Sequence, residues 1–367
     1  MDEAEKKDFL PKKKRSWKRV VAFILFIALN ATVIIVTAVN EFGNSNEAAE
    51  LSEVKINWWL LIPATLCFIV AILLDIYRYV LMITKMPENK EKSKKELRQE
   101  QGGIWKVARR TVLLGKYYDS VTPAAIGGQP FQIYYMRKHS GLSKGESVSV
   151  PLVGMIANQV GFLIIAILCF LLSGIAYTKP ALMVTAWFGL LFFAFWPVMV
   201  AGVSYFPKAT TKFLKWIVKV LARLRIVKNR EKAMGDIEKE ISEYSKSVKI
   251  ILRERGLFIK VVGLSVAYNA LIMSIPFFVL TAFGGDVGFI ECFTLSLAVT
   301  SAVYFIPTPG NAGAAEGTFF LVFSALSTGY VFWAMLLWRF FSYYIYIILG
   351  PIIYLSMQLE KKRDRIE

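Results

Sequence analysis

Long apolar runs alternate along this chain with shorter stretches rich in charge. A helix needs about 20 mostly apolar residues to cross a bilayer. Six stretches qualify: Val20–Val39, Asn57–Ile83, Ser147–Leu172, Pro180–Phe206, Phe258–Ala282 and Tyr330–Met357. Two further apolar stretches, residues 104–136 and 289–326, carry proline and glycine near their middles. A single crossing by either would invert everything that follows it. Each therefore reads as a re-entrant hairpin, one from each side of the membrane.

The polar stretches fix an orientation, because Lys and Arg stay on the cytoplasmic side. Residues 1–19 carry eight of them, residues 84–101 six, and residues 207–257 fourteen against six acids. Lys361, Lys362 and Arg363 make the end basic too. The loop with Glu41, Glu47, Glu50 and Glu53 is acidic, and Ala282–Gly288 has no Lys or Arg. These signs alternate for six spans with both termini cytoplasmic. Each half then reads span, span, hairpin, span, with opposite topology, which is an inverted repeat. The expected fold is an all-α polytopic membrane protein of six spanning helices plus two re-entrant hairpins. It divides into a basic N-terminal stretch (1–19), one membrane domain (20–357, halves about 20–175 and 180–357) and a tail (358–367).

Composition agrees with this class. The 367 residues are 56% hydrophobic with mean hydropathy +0.49, too apolar for a soluble domain. The run after Lys12-Lys13-Lys14-Arg15 is too long for a signal h-region and has no small-residue cleavage site, so it reads as a retained helix. The net charge of +17 sits in blocks beside apolar runs. Orientation and anionic lipid account for it better than nucleic acid does. Cys67, Cys169 and Cys292 lie in apolar runs without metal-ligand spacing, and the single histidine, His139, lies in a basic loop. No H-E-x-x-H, P-loop or dinucleotide motif is present. Neither a cofactor nor a metal is expected.

In the loop 207–257, Phe213, Trp216, Ile217, Val220, Leu221 and Leu224 fall at helical spacing, flanked by Lys212, Lys215, Lys219 and Arg223. Two readings stand. One is a helix lying in the headgroup plane of an anionic leaflet. The other is a connector helix packed on the inner face of the bundle.

The candidate chemistry lies at the two breaks. Ile306-Pro307-Thr308-Pro309-Gly310-Asn311-Ala312-Gly313 precedes Glu316, and Thr122-Pro123-Ala124-Ala125-Ile126-Gly127-Gly128-Gln129 repeats its T-P-x-x-x-G skeleton. Broken backbone at membrane depth is tolerated where it is buried in protein or lines a cavity. Paired breaks in two halves point to a transporter site at a repeat interface. Proline removes a backbone donor and glycine lets the chain turn. A half-helix starting after each break would turn its free N–H groups to the membrane interior, and such a terminus suits a phosphate. The alternative is that these residues only shape a tight hairpin. Charges at depth come next. Arg339 lies inside the last span and pairs most simply with Glu316, because the second hairpin and the last span are neighbours in the chain. Asp75 and Arg78 share a helix face near the cytoplasmic end. Arg109 and Arg110 lie on the first arm of hairpin one.

The T-P-x-x-x-G-G-Q and P-x-P-G-x-x-G-x-x-E motifs, with W-R-F-F-S-Y-Y and Gly350-Pro351 near the end, resemble one family. It is the membrane domain of lysylphosphatidylglycerol synthase, a flippase-like domain also found alone, and the resemblance covers roughly residues 15–357. The family's second-half loop reads close to P-G-G-x-G-x-x-E, with a later Arg in the final span. Those positions here are Pro309, Gly310, Asn311, Gly313, Glu316 and Arg339. The family's acidic–basic pair after hairpin one falls on Asn158 and Gln159. Full-length synthases add a soluble domain that transfers lysine from tRNA to phosphatidylglycerol. That domain is expected to be missing here, so the resemblance implies lipid translocation. The partner it implies is an anionic or aminoacylated membrane phospholipid, with a separate lipid-modifying enzyme as a further partner. Two rivals remain: a phosphatidylglycerol lysyltransferase or its membrane subunit, and a non-transporting scaffold of an envelope glycolipid pathway.

Overall fold

The computed structural model describes residues 32, 35, 56–86, 94–122, 127–172, 180–223, 245, 248, 249, 254–304, 306, 308–324 and 331–363. Thr32 and Ile35 are helical. The rest of the span expected at Val20–Val39 lies outside the described residues, as do Pro123 and Pro307.

All regular elements among the described residues are helical. A 3-10 turn at Trp58–Leu60 leads into α1 (Leu61–Thr84). Next come α2 (Lys94–Val121), α3 (Gly128–His139), α4 (Lys144–Leu172), α5 (Pro180–Tyr205) and α6 (Pro207–Arg223). The second half holds α7 (Arg255–Ala282), α8 (Phe289–Val303), a 3-10 turn at Pro309–Asn311 and α9 (Ala314–Ser324). It closes with α10 (Val331–Arg339), a π-helical turn (Phe340–Tyr344) and α11 (Ile345–Arg363). Among the described residues, five helical stretches are long and apolar enough to cross a membrane: Trp58–Thr84, Gly145–Leu172, Pro180–Val200, Arg255–Ala282 and Val331–Glu360.

Each helix buries a stripe and leaves the rest of its apolar surface outside. On α1, Ala64, Phe68, Ala71, Asp75, Tyr79 and Met82 recur every three or four residues and are buried. Leu66, Ile69 and Leu73 point outward. In water that outer face would be costly; against acyl chains it is not. The central helix is α7, which packs on α1, α4, α8 and α10. One apolar cluster gathers Phe68, Phe162, Phe193, Phe319 and Phe323. A second gathers Tyr79, Met82, Val112, Val150 and Val261. Gly161 lies so close to the α7 backbone at Ser265 that a Cβ there would stand 2.9 Å from it. Small residues at crossings of this kind let membrane helices approach.

Both broken stretches are helix–break–helix units, α2/α3 and α8/α9, and the arms pack on each other in each unit. The turn Pro309–Asn311 of the second unit packs against α2 of the first, so the second break meets the first unit. Differences from the sequence reading lie at boundaries. The first arm begins at Lys94 rather than residue 104. The span expected as one helix over Tyr330–Met357 is interrupted by the π turn directly after Arg339. A π turn inserts an extra residue into the helix and is common at functional sites.

Candidate functional site

The second break is held by one ion pair. Glu316 stands in the first turn of α9 and Arg339 at the end of α10. Arg339 Nε donates to Glu316 Oε1 at 2.7 Å, with side-chain exposures of 5% and 2%. The second carboxylate oxygen, Oε2, accepts from the Gly313 amide at 2.8 Å. Arg339 Nη2 donates to the Gly310 carbonyl at 3.3 Å, and its guanidinium lies 4.4 Å from the Tyr343 ring centre. Gly310, Asn311 and Gly313 all have positive φ, at 57°, 56° and 87°. Glycine and asparagine tolerate that region best. The Asn311 side chain donates to the Val303 carbonyl at 3.1 Å, satisfying the end of α8.

Hydrogen bonds and a stacked ring pair, Tyr118 on Phe131 at 4.3 Å, hold the first break. Thr122 Oγ1 accepts from the Gly127 amide at 2.9 Å, and Asp119 Oδ1 accepts from the Gly128 amide at 2.8 Å. Gln129 follows, half-buried in the first turn of α3.

These contacts correct one expectation. The amides of Gly127, Gly128 and Gly313 do not face the membrane interior as free donors. Each is capped by a side chain of this chain, because Thr122, Asp119 and Glu316 stand within reach of the half-helix starts. A buried amide without a partner is costly, and these three are satisfied from within. Arg339 is likewise turned into the break, so it is not a free cation awaiting a phosphate.

A partly buried cavity with polar groups in its wall lies next to the breaks. The cavity, of about 210 Å³, is lined by Lys116, Asp119 and Ser120 of α2 and by Tyr268, Ile272 and Ile275 of α7. Trp338 of α10, Phe341 and Ser342 of the π turn and Tyr346 of α11 complete it. Lys116 Nζ donates to Tyr268 Oη at 2.8 Å and lies 3.3 Å from Asp75 Oδ2. It stands 4.8 Å and 5.6 Å from the ring centres of Tyr268 and Tyr346. Asp75 also receives Arg78 at 2.5 Å, and Arg78 donates onward to Ser265. Asn158 joins this polar core through Arg78 at 3.5 Å and Asn269 at 3.3 Å. One carboxylate thus serves two cations, and the cavity wall carries one ammonium and, one helical turn on, the Asp119 carboxylate. Ser342 Oγ is buried with no hydrogen-bond partner among the described residues.

The sequence-derived candidates thus fall into separate places. Gly310, Asn311, Gly313, Glu316 and Arg339 form one cluster. Thr122, Gly127 and Gly128 form another with Asp119. Asp75 and Arg78 belong to a buried network under the cavity. Arg110 donates to Glu360 at 2.8 Å and Lys106 bridges the same carboxylate at 2.8 Å, tying α2 to α11. Arg109 is exposed on α2. Gln159 donates to Tyr304 Oη at 3.1 Å and takes no part in the cavity wall. Lys116, Asp119 and Tyr268 were missed. Lys116 in Gly115-Lys116-Tyr117-Tyr118-Asp119 was legible by the rule applied to Arg339, since a charge within an apolar arm is a functional candidate.

Comparison with known proteins gives a consistent outcome. Residues 19–350 match the family model described as "Lysylphosphatidylglycerol synthase TM region". A curated relative described as "UPF0104 membrane protein", from Methanothermobacter thermautotrophicus, is 22% identical over 227 residues. That match covers 58% of this chain and 63% of the relative, so the chain spans less than two thirds of the relative's length. No solved structure matches.

Proposed function

The chain belongs to the lysylphosphatidylglycerol synthase membrane-region family, and from that membership and the cavity we propose that it moves a phosphate-bearing phospholipid headgroup between leaflets. The observation that carries this reading is Lys116. An ammonium buried in an apolar bundle is costly unless it is paired or meets a ligand. The carboxylate it pairs with among the described residues, Asp75, already serves Arg78. A headgroup phosphate would give Lys116 a negative partner that it does not share with Arg78, and Tyr268 and Ser342 offer hydroxyls beside it. Asp119 offers a carboxylate to an amine on the same headgroup. The acyl chains stay among the outward-facing apolar residues of the helices, so only the headgroup enters.

In this reading α2/α3 and α8/α9 are re-entrant hairpins that bring their breaks to the middle of the membrane. The two halves are an inverted repeat and both termini are cytoplasmic. The Glu316–Arg339 clamp and the Asp119 and Thr122 caps are then the fixed walls of the path. Cavities built where two hairpin repeats meet are the common site of transporters.

The test uses purified full chain in vesicles holding a tail-labelled phosphatidylglycerol, with a membrane-impermeant reductant added outside. Wild-type protein should make the inner-leaflet label accessible. Lys116→Met should slow this at least about tenfold, whereas Lys116→Arg keeps the charge and part of the rate. Wild-type protein no faster than protein-free vesicles overturns the proposal. So does a Lys116→Met variant that is folded and fully active.

A further inference from the structure

The helix α6 (Pro207–Arg223) plays no part in the cavity, and its surface divides into three arcs. Successive residues turn by about 100°. Leu214, Ile217 and Val218 fall on one arc, and Val218 is buried while the other two are half-buried, so this arc faces protein. Lys208, Lys212, Lys215 and Lys219 fall on a second arc, and Lys208, Lys212 and Lys219 are exposed. Phe213 and Trp216 fall on a third, between the basic arc and the one that faces protein. They are 58% and 59% exposed, and their rings stack at 6.0 Å. The helix contains five basic residues and no acidic one. It follows directly on the apolar helix α5, whose end at Tyr205 and Phe206 is exposed as well.

We propose that α6 is an in-plane membrane helix that docks on an anionic leaflet, with Phe213 and Trp216 inserted below the headgroups and the lysine arc at the phosphates. Packing of the whole stripe against the bundle would bury the aromatic pair, and it is not buried. An aromatic arc beside a lysine arc is the arrangement that lets one set of side chains enter the acyl boundary while the other stays among anionic headgroups. Lys and aromatic side chains suit the two levels because each has an apolar body and a polar or charged end. The chosen occupant is lipid because the surface combines exposed apolar rings with charge of a single sign. Each basic residue adds about fivefold to partitioning onto an anionic surface.

The experiment places an environment-sensitive fluorophore at Phe213→Cys in the full chain, with the unsubstituted protein as labelling background. The protein is reconstituted in phosphatidylcholine alone or with added phosphatidylglycerol. With the anionic lipid present, the label should be blue-shifted, protected from aqueous iodide and quenched by lipids bearing a shallow nitroxide. A Lys208→Glu, Lys212→Glu, Lys219→Glu variant should lose most of that protection, while the same label in phosphatidylcholine should change less. Full iodide access in anionic bilayers overturns the proposal. So does protection that persists in dilute detergent, which would mean that another part of this chain or a second copy covers the face. The outcome is independent of whether the chain moves lipid.

Discussion

Removing one member of the Glu316–Arg339 pair should destabilise the protein more than removing both. The pair is nearly fully enclosed, at 2.7 Å, and loss of one partner from a buried pair typically costs about 3–5 kcal/mol. The structure predicts an asymmetry within that range. Glu316→Gln leaves a guanidinium that cannot lose its proton, with the Gly310 carbonyl and the Tyr343 and Trp338 rings near it but no carboxylate among its described contacts. Arg339→Gln leaves a carboxylate at the start of α9, where the Gly313 amide and the positive end of the helix still favour it. Glu316→Gln should therefore be the costlier change. The double variant keeps two amides able to hydrogen-bond across the gap and buries no net charge.

The expected coupling is at least about 2 kcal/mol, roughly a 30-fold difference in the unfolding equilibrium. The assay is equilibrium unfolding of purified protein in mixed detergent–denaturant micelles, with the four proteins of the cycle run under the same conditions. Additivity within about 0.5 kcal/mol would refute the view that the pair clamps the second break. A larger loss in Arg339→Gln than in Glu316→Gln would refute the assignment of which charge is the better compensated.

Three further outcomes follow from the same geometry. Cysteines placed near Asn46 and Asp286 should label from outside in intact cells while those near Lys92 and Lys232 should not; labelling of residue 286 from the cytoplasm would defeat the inverted repeat. Asp119→Asn retains an oxygen for the Gly128 amide and should change stability by less than about 1 kcal/mol, whereas Asp119→Ala orphans that amide and should cost about 1–3 kcal/mol; equal losses in thermal unfolding would remove the cap from the account. Gly310→Ala must hold φ at 57° and push its methyl group into the Tyr343 ring, costing at least about 1–2 kcal/mol for the backbone alone, while Gly103→Ala in open space on α2 should be neutral or slightly stabilising; indistinguishable unfolding curves would contradict the tight fit.

Much of the fold was legible because apolar length is a strong signal in a bilayer. Asn57–Ile83 and Pro180–Phe206 anticipate α1 and α5 to within a turn, and the paired Pro/Gly segments mark the two helix breaks. The pairing of Glu316 with Arg339 was legible too, since a hairpin of limited length brings its second arm back beside the next helix. What failed was the state of the half-helix starts. A sequence shows that Gly127, Gly128 and Gly313 stand where helices begin. It does not show that Thr122, Asp119 and Glu316 arrive at 2.8–2.9 Å to satisfy their amides, because Asp119 is nine residues from Gly128 and only the closed break brings them together. The glycines consequently serve close packing and backbone shape. Valine at Gly313 would test backbone strain at φ 87° before it tested any contact with lipid.

Lys116 was open to the rule of charge at depth and was passed over. The stretch Lys116-Tyr117-Tyr118-Asp119-Ser120 is polar enough to read as the loop of a hairpin, and its neighbours Arg109 and Arg110 drew the same rule of charge at depth. The three cations then separate by what meets them in three dimensions. Arg109 reaches the surface. Arg110 meets Glu360 from a helix distant in sequence and closes α2 onto α11. Lys116 meets Asp75, which Arg78 already occupies, and two tyrosine rings that bear no formal charge. A cation in an apolar bundle is held there either because it is fully neutralised or because something else neutralises it in use. Glu316 and Arg339 meet the first condition and Lys116 meets it only in part. Under the proposed function, that difference moves the expected point of headgroup contact from the tips of the two breaks to the cavity beside them.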